Sequence, residues 1–366
     1  MEFDEAEWVI ATAGAEEATA VADEEWIIED GCGEDDADTD ESRRSISGIL
    51  FPTASAGIGF APFSPSSGNL SLSFLPPSVA VVAASNGLVL IRGPWSTYYL
   101  CNPFISEVSR IPRPARPHAR DATALVFSAN PMSQFHLVCA VHLQGMYQFE
   151  TYSSGSALWR SSIQEIPFSG EILPSSAVSA CGTAYWRTTD GAVVGFDPVI
   201  GDSRVIERPD GIGSSARWQL GEAGDRLCCV VVQPSSVEIH VYEASNGWTL
   251  VGSIAVVSPE KEAEAEEEEE EEEDWVIGGT IVCRETPWPL RFQSADPQAV
   301  LWVDGRVLAV DLASWRVRAV RIDGAAPDSS IDDYVAHINT VASVLAKSSR
   351  PISDFGSSLT LSLSLD

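Results

Sequence analysis

The sequence predicts an all-β fold closed into a propeller, and three observations predict it. From about residue 80, apolar stretches of four to seven residues alternate with Gly, Asn, Asp, Ser and Pro. Helical periodicity of 3.6 residues is hard to find before residue 330. A strand–turn–strand pattern recurs at a spacing that only a repeat architecture explains.

The repeat is carried by four segments: 147–162 (YQFETYSSGSALWRSS), 193–209 (VVGFDPVIGDSRVIERP), 238–252 (EIHVYEASNGWTLVG) and 306–322 (RVLAVDLASWRVRAVRI). Each is an alternating apolar strand ending at Tyr152, Asp197, Glu243 or Asp311, then a polar turn, then a second strand opening near Trp159, Arg204, Trp248 or Trp315. Such segments are β-hairpins. A weaker copy, 98–112, turns at Asn102-Pro103. The anchors 102, 152, 197, 243 and 311 are 50, 45, 46 and 68 residues apart. Discounting about 20 residues of acidic insertion brings the last gap to about 48, the length of a four-stranded blade. Inner strands come from ALVFSA, FHLVCAVH, GTAYWRT, RLCCVVV and AVLWVDG. Residues 80–325 thus hold five to six blades, six being favoured, with terminal segments closing the ring and outer Trp and Tyr packing between blades. A β-sandwich is the alternative that the strands alone leave open.

Charge divides the rest. The net charge of −31 is concentrated: residues 1–45 carry 17 acids against Arg43 and Arg44, and 260–274 carry 12 against Lys261. The remainder, 24 acids and 19 bases, is nearly neutral. Residues 1–45 read as a disordered acidic tail in which EWVI and EWII suit short-peptide docking, and 46–80 as a Ser/Pro-rich linker with at most one short strand. The propeller domain is placed at 81–346, with a disordered acidic loop at 258–274 around Glu266–Glu273 and a tail at 347–366. Within 331–346, Ile331, Tyr334, Val335, Ile338, Val341, Ala342 and Leu345 fall on one face of an expected C-terminal helix.

The same features bear on function. No Lys/Arg cluster supports a nucleic-acid binder, and no apolar run is long enough for a membrane span. Seven cysteines, none in a CxxC pair and most in apolar runs, point to reduced buried thiols and hence to cytoplasm or nucleus. The five histidines lack metal spacing, so no metal or cofactor is expected. The string Gly211-Ile212-Gly213-Ser214-Ser215-Ala216 lies in a loop with no helix to receive a phosphate, and no catalytic motif is found, so the chain is read as non-enzymatic. The terminus LTLSLSLD places Leu359, Leu361, Leu363 and Leu365 at spacing two. It resembles the LxLxL motif by which plant regulators bind corepressors, with Leu361, Leu363 and Leu365 as its candidate partner-binding residues; an extra β-strand or a frayed end is the plainer reading of the same string.

At ASNGLVLIRG (84–93), YYLCNPFISEVSRIPRP, ALVFSANPMSQFHLVCAV, GTAYWRTTDGAVVGFDP, IHVYEASNGWTL and AVLWVDGRVLAVDL, in that order, the chain resembles the F-box-associated domains of plant F-box proteins. The resemblance covers about residues 84–345. It implies a β domain that recruits substrates to a cullin-type ubiquitin ligase, so protein partners among ligase components are expected. Residues 1–83 show no Leu-Pro-initiated helical F-box, which implies that the box is lost or encoded elsewhere.

Overall fold

The computed structural model describes residues 46–339, apart from 258–275 and short stretches in turns and connections. The expected acidic tail (1–45), the acidic loop (258–274) and the tail 347–366 lie outside the described residues.

The chain begins with a hairpin, β1 (Gly48–Pro52) and β2 (Ile58–Pro62). Four strands form blade 1: β3 (Ala80–Ser85), β4 (Leu88–Gly93), β5 (Thr97–Asn102) and β6 (Glu107–Ile111). Blade 2 follows with β7 (Ala122–Phe127), β8 (Phe135–Leu143), β9 (Met146–Ser153) and β10 (Leu158–Ser162). Blade 3 contains β11 (Val178–Ala180), β12 (Thr183–Arg187), β13 (Val193–Asp197) and β14 (Asp202–Ile206). Blade 4 contains β15 (Arg217–Ala223), β16 (Arg226–Gln233), β17 (Ser236–Glu243) and the long β18 (Gly247–Val257), whose outer edge is extended by β19 (Val276–Ile277) and β20 (Thr280–Val282). The acidic insertion falls between β18 and β19.

Blade 5 has a divided innermost strand. Its first half, β21 (Trp288–Pro289), pairs with β23 (Gln298–Val303) of its own blade. Its second half, β22 (Phe292–Ser294), pairs in parallel with β15 of blade 4. Gly221 in β15 makes this possible, because a Cβ there would lie 2.2 Å from the Phe292 ring. β24 (Arg306–Asp311) and β25 (Val317–Arg321) complete the blade. Finally β26 (Val335–His337) pairs with β1, giving a three-stranded sheet β2-β1-β26.

The innermost strands touch in the order β3, β7, β11, β15, β22, β26 and back to β3, closing a ring. The architecture is a β-propeller of five four-stranded blades with a three-stranded closing sheet. Inner strands are apolar without alternation because each is buried on both sides. In β16, Cys228, Val230 and Val232 enter one core cluster while Leu227, Cys229 and Val231 enter another. The outermost β14 is mostly exposed.

The five predicted outer hairpins are all present as β5–β6, β9–β10, β13–β14, β17–β18 and β24–β25. Their acidic or Asn anchors close the turns: Asn102 Oδ1 accepts from Phe104 N (3.0 Å), Asp197 Oδ1 from Val199 N (2.8 Å) and Ile200 N (3.1 Å), and Asp311 Oδ1 from Ser314 N (2.8 Å). The hairpin tryptophans join blades. Trp159 Nε1 donates to Pro112 O at 2.8 Å, just past β6, and Trp248 Nε1 donates to Glu207 O at 2.7 Å, just past β14. The Trp159 ring lies 6.3 Å from Tyr98 of blade 1 and 5.5 Å from Tyr152 of its own blade. Trp315 lies outside the described residues.

Two expectations are corrected. Residues 46–62, read as linker, form the closing hairpin, with Ile46, Ile49 and Leu50 fully buried. The expected C-terminal helix is instead a 3-10 turn at Ile331–Asp333 followed by strand β26, and residues 340–346 lie outside the described residues. Tyr334, Val335 and Ala336 are consecutive and all buried, which suits a strand covered on both sides and not one face of a helix.

Trp159→Phe removes the inter-blade hydrogen bond and should cost about 1 kcal/mol. Trp159→Ala also removes the ring and should cost roughly 3–5 kcal/mol. Urea unfolding should show both losses as lower midpoints at unchanged m; a Trp159→Phe midpoint equal to the parent's would show that the hydrogen bond contributes nothing, and equal midpoints for the two variants that the ring contributes nothing.

Candidate functional site

A propeller offers three places for function: its axis and the two faces where strands turn. Innermost strands begin at what we term the entry face and end at the exit face.

Polar groups fill the axis. Toward the exit face, Gln293 of β22 donates through Nε2 to Ser85 Oγ (3.2 Å), Ser179 Oγ (3.3 Å) and Ser179 O (3.3 Å), and its Oε1 accepts from Asn86 N (3.0 Å). One amide thereby ties blades 1, 3 and 5 together. Ser85 and Ser179 are themselves 3.2 Å apart. Nearby, Glu222 is buried and its Oε1 accepts from Asp225 N at 2.5 Å. Burial lifts its carboxyl to about 7, against the pull of that hydrogen bond.

Toward the entry face, Arg291 is buried where β21 gives way to β22. Its Nη1 donates to Val82 O (2.8 Å) and its Nη2 to Asp332 O (3.5 Å). Burial lowers its pKa to about 10, opposed by the charges of Asp332 and Asp333. Arg187 lies 4.3 Å over the Trp218 ring, and burial lowers its pKa as well. Ser330 caps the turn that carries Asp332, with Asp333 Oδ2 accepting from Ser330 N at 2.8 Å. Binding surfaces are therefore to be sought on the faces.

The entry face carries an exposed tryptophan in a strained backbone. Trp95, between β4 and β5, is 85% exposed and adopts φ 59°, ψ 35°, followed by buried Ser96 at φ 55°. Two successive non-glycine residues in the left-handed region cost of order 1–3 kcal/mol each and persist only where the surroundings impose them. Pro94 fixes the approach, and Thr97 N donates back to Pro94 O. The turn thus projects an indole into solvent. On the same face, Leu143 and Met146 flank the β8–β9 turn and are partly exposed. Trp288 is 41% exposed beneath the Arg217 guanidinium, 3.7 Å from its ring centre, while Arg217 Nη1 donates to Thr286 O at 2.5 Å. β18 also ends at this face, so the acidic insertion leaves from it. None of these four apolar residues was singled out in the sequence. The Pro-Trp-Ser turn between two apolar strands was the available signal.

The sequence candidates Leu361, Leu363 and Leu365 lie outside the described residues. Cys228 and Cys229 face opposite cores as expected, with the Cys228 thiol pushed up to about 12 by burial. The six cysteines among the described residues are free. Gly211–Gly213 form a loop before strand β15, not before a helix. Among the described residues no three metal-ligating side chains come together. His337 is buried, lies edge-on to Phe60 at 6.0 Å, and is lowered to about 4 by burial.

No family model matches the chain, and no curated protein matches it. Among solved structures, it is similar to the Cps50 (Swd1) β-propeller domain of Myceliophteria thermophila, at 9% identity and TM-score 0.37 over 75% of this chain and 80% of that one. It is also similar to TolB from Acinetobacter baumannii, at 9% identity and TM-score 0.44 over 80% of this chain and 67% of that one. A third likeness is an auxiliary nutrient binding protein from Bacteroides thetaiotaomicron, at 12% identity and TM-score 0.36 over 66% and 56% of the two chains. The fold assignment rests on the strand pairing described above.

Glu222 makes a pH prediction. Its folded pKa is raised, so the unfolded chain ionises first, and stability falls as pH rises from about 4.5 to about 7. Glu222→Gln should remove this fall, and the two proteins' unfolding free energies should diverge by up to roughly 3 kcal/mol across that window. Parallel pH profiles would show that the carboxyl is not held neutral.

Proposed function

We propose that this chain is a protein-interaction module that presents a partner-binding surface on the entry face of its propeller. The observation that carries this reading is Trp95, a largely exposed indole held in a left-handed turn by a rigid blade. Exposed tryptophans that pay no further ordering entropy are the residues on which binding energy concentrates. The filled axis supports a face-bound partner, and the six free cysteines suit a reducing compartment, cytoplasm or nucleus.

Within this reading, the ordered motifs shared with plant F-box-associated domains favour substrate recognition for a ubiquitin ligase. The alternative is a transcriptional adaptor that recruits a corepressor through Leu361, Leu363 and Leu365; the LTLSLSLD terminus supports it.

Tagged full-length chain purified from plant tissue separates these readings. Trp95→Ala should lose its specific partners at least tenfold while its melting temperature stays unchanged. Replacing Leu361, Leu363 and Leu365 by Ser should leave those partners in place. Recovery of ligase adaptor and cullin supports the first assignment, and corepressor lost only with the Leu variant supports the second. Partners that survive Trp95→Ala would overturn the entry-face reading.

A further inference from the structure

The exit face holds a cleft of about 680 Å³ between blades 2 and 3, within the size range of ligand sites. One wall is β10 with the adjoining ends of β8 and β9, and the other is the β13–β14 turn and Cys181-Gly182. Phe196 belongs to the lining and is backed by the Phe149 ring, stacked on it at 4.2 Å. Asp197 fixes the turn by accepting Val199 N and Ile200 N on one carboxylate oxygen. Val199 and Ile200 are thereby held outward, 67% and 72% exposed.

The polar lining is left open. The hydroxyls of Thr151, Ser153, Ser156, Ser161 and Ser162 line the cleft, and among the described residues none of them makes a side-chain hydrogen bond. Arg160, exposed on the same wall, also has no ion pair or hydrogen bond among the described residues. His136 lines the cleft with only 8% of its surface exposed, and its Nδ1 finds no acceptor or donor. Buried polar groups are ordinarily partnered, so the unspent capacity of the two buried members of this lining, Thr151 and His136, points to a ligand. Burial keeps His136 neutral, with the Asp197 charge acting against this. The lining's free cation is then the Arg160 guanidinium, set apart from the Asp197 carboxylate, whose Oδ1 is taken up by Val199 N and Ile200 N. A single guanidinium matches a carboxylate and falls short of a phosphate dianion, which calls for several cations.

β10 supplies the other half of the argument. Among the described residues it pairs only with β9, so its outer edge offers backbone donors and acceptors along the cleft wall. An extended peptide adds to such an edge through its main chain and places alternate side chains into adjoining pockets. We infer that the cleft between blades 2 and 3 binds an extended, carboxylate-bearing peptide of a partner protein. The peptide pairs along β10, its carboxylate meets Arg160, its polar groups meet the hydroxyls and His136, and an aliphatic side chain packs on Val199 and Ile200. This rests on the reading of the chain as an interaction module but assigns a second surface, on the face opposite Trp95.

The test uses full-length protein and fluorescein-labelled nonapeptides of alternating Val and Thr with Glu, Gln or Lys at the centre. Fluorescence polarisation should show the Glu peptide bound at least tenfold more tightly than the other two. Arg160→Ala should reduce it to the level of the Gln peptide, and Arg160→Glu should invert the preference toward Lys. Arg160 is exposed, and an unchanged melting temperature confirms that the variants are folded. Equal binding of all three peptides, binding of none, or a Glu preference that survives Arg160→Ala overturns the inference. Competition by free succinate with no peptide preference would also overturn it, in favour of a small carboxylate ligand. Trp95→Ala should leave the peptide result unchanged, so failure here and failure of the entry-face reading are separable.

Discussion

The ring depends on the pairing of β1 with β26. Gly48, Ile49 and Leu50, near the start of the described chain, are matched to His337, Ala336 and Val335, near its end. Every other blade is built from sequence neighbours and could form locally. This pairing, with the adjoining Thr53–Ala325 bridge, spans the whole domain, and it must form after much of the loop-closure entropy has been spent. With it, β3 and β22 both gain β26 as a neighbour, and Leu50 and Val335 join the cluster that contains Val89, Ile91 and Tyr99 of blade 1. Without it, blades 1 and 5 would each present an uncovered apolar flank.

Closure also sets what the axis can do. β22 leaves its own blade to pair with β15, and that step brings Arg291 and Gln293 into the centre. Their bonds run to blades 1 and 3 and to the turn before β26, so the axis acts as a tie between non-adjacent blades. A ring tied in this way holds its surface turns rigid. The strained Trp95 turn and the Asp197-capped Val199-Ile200 turn both draw on that rigidity, one at each face.

Much of this was legible in the chain. The hairpin anchors Asn102, Asp197 and Asp311 could be read because Asx turn chemistry is local. The inner strands could be read because burial on both faces makes them uniformly apolar. Trp159 and Trp248 were placed correctly between blades, although their hydrogen bonds to Pro112 and Glu207 depend on a neighbouring blade that a linear pattern does not show. The closing hairpin was missed because Ser, Pro and Gly dominate residues 46–80, and its short apolar strands find their partner nearly 290 residues away. The segment Ile331–His337 carries spacing that fits a helix and burial that fits a strand, and tertiary cover decided between them. The Trp95 turn leaves only its Pro-Trp-Ser string in the sequence, and the cleft beside Arg160 leaves no signature there, since both are defined by what the fold leaves uncovered.

Native-state hydrogen exchange tests the closure most directly. The amides paired between β1 and β26 should exchange only with global unfolding, with the same free energy and denaturant dependence as those of β8 and β16. Exchange in β1 and β26 that is orders of magnitude faster, while blades 2 and 4 stay protected, would contradict the account of a ring held shut by its terminal strands.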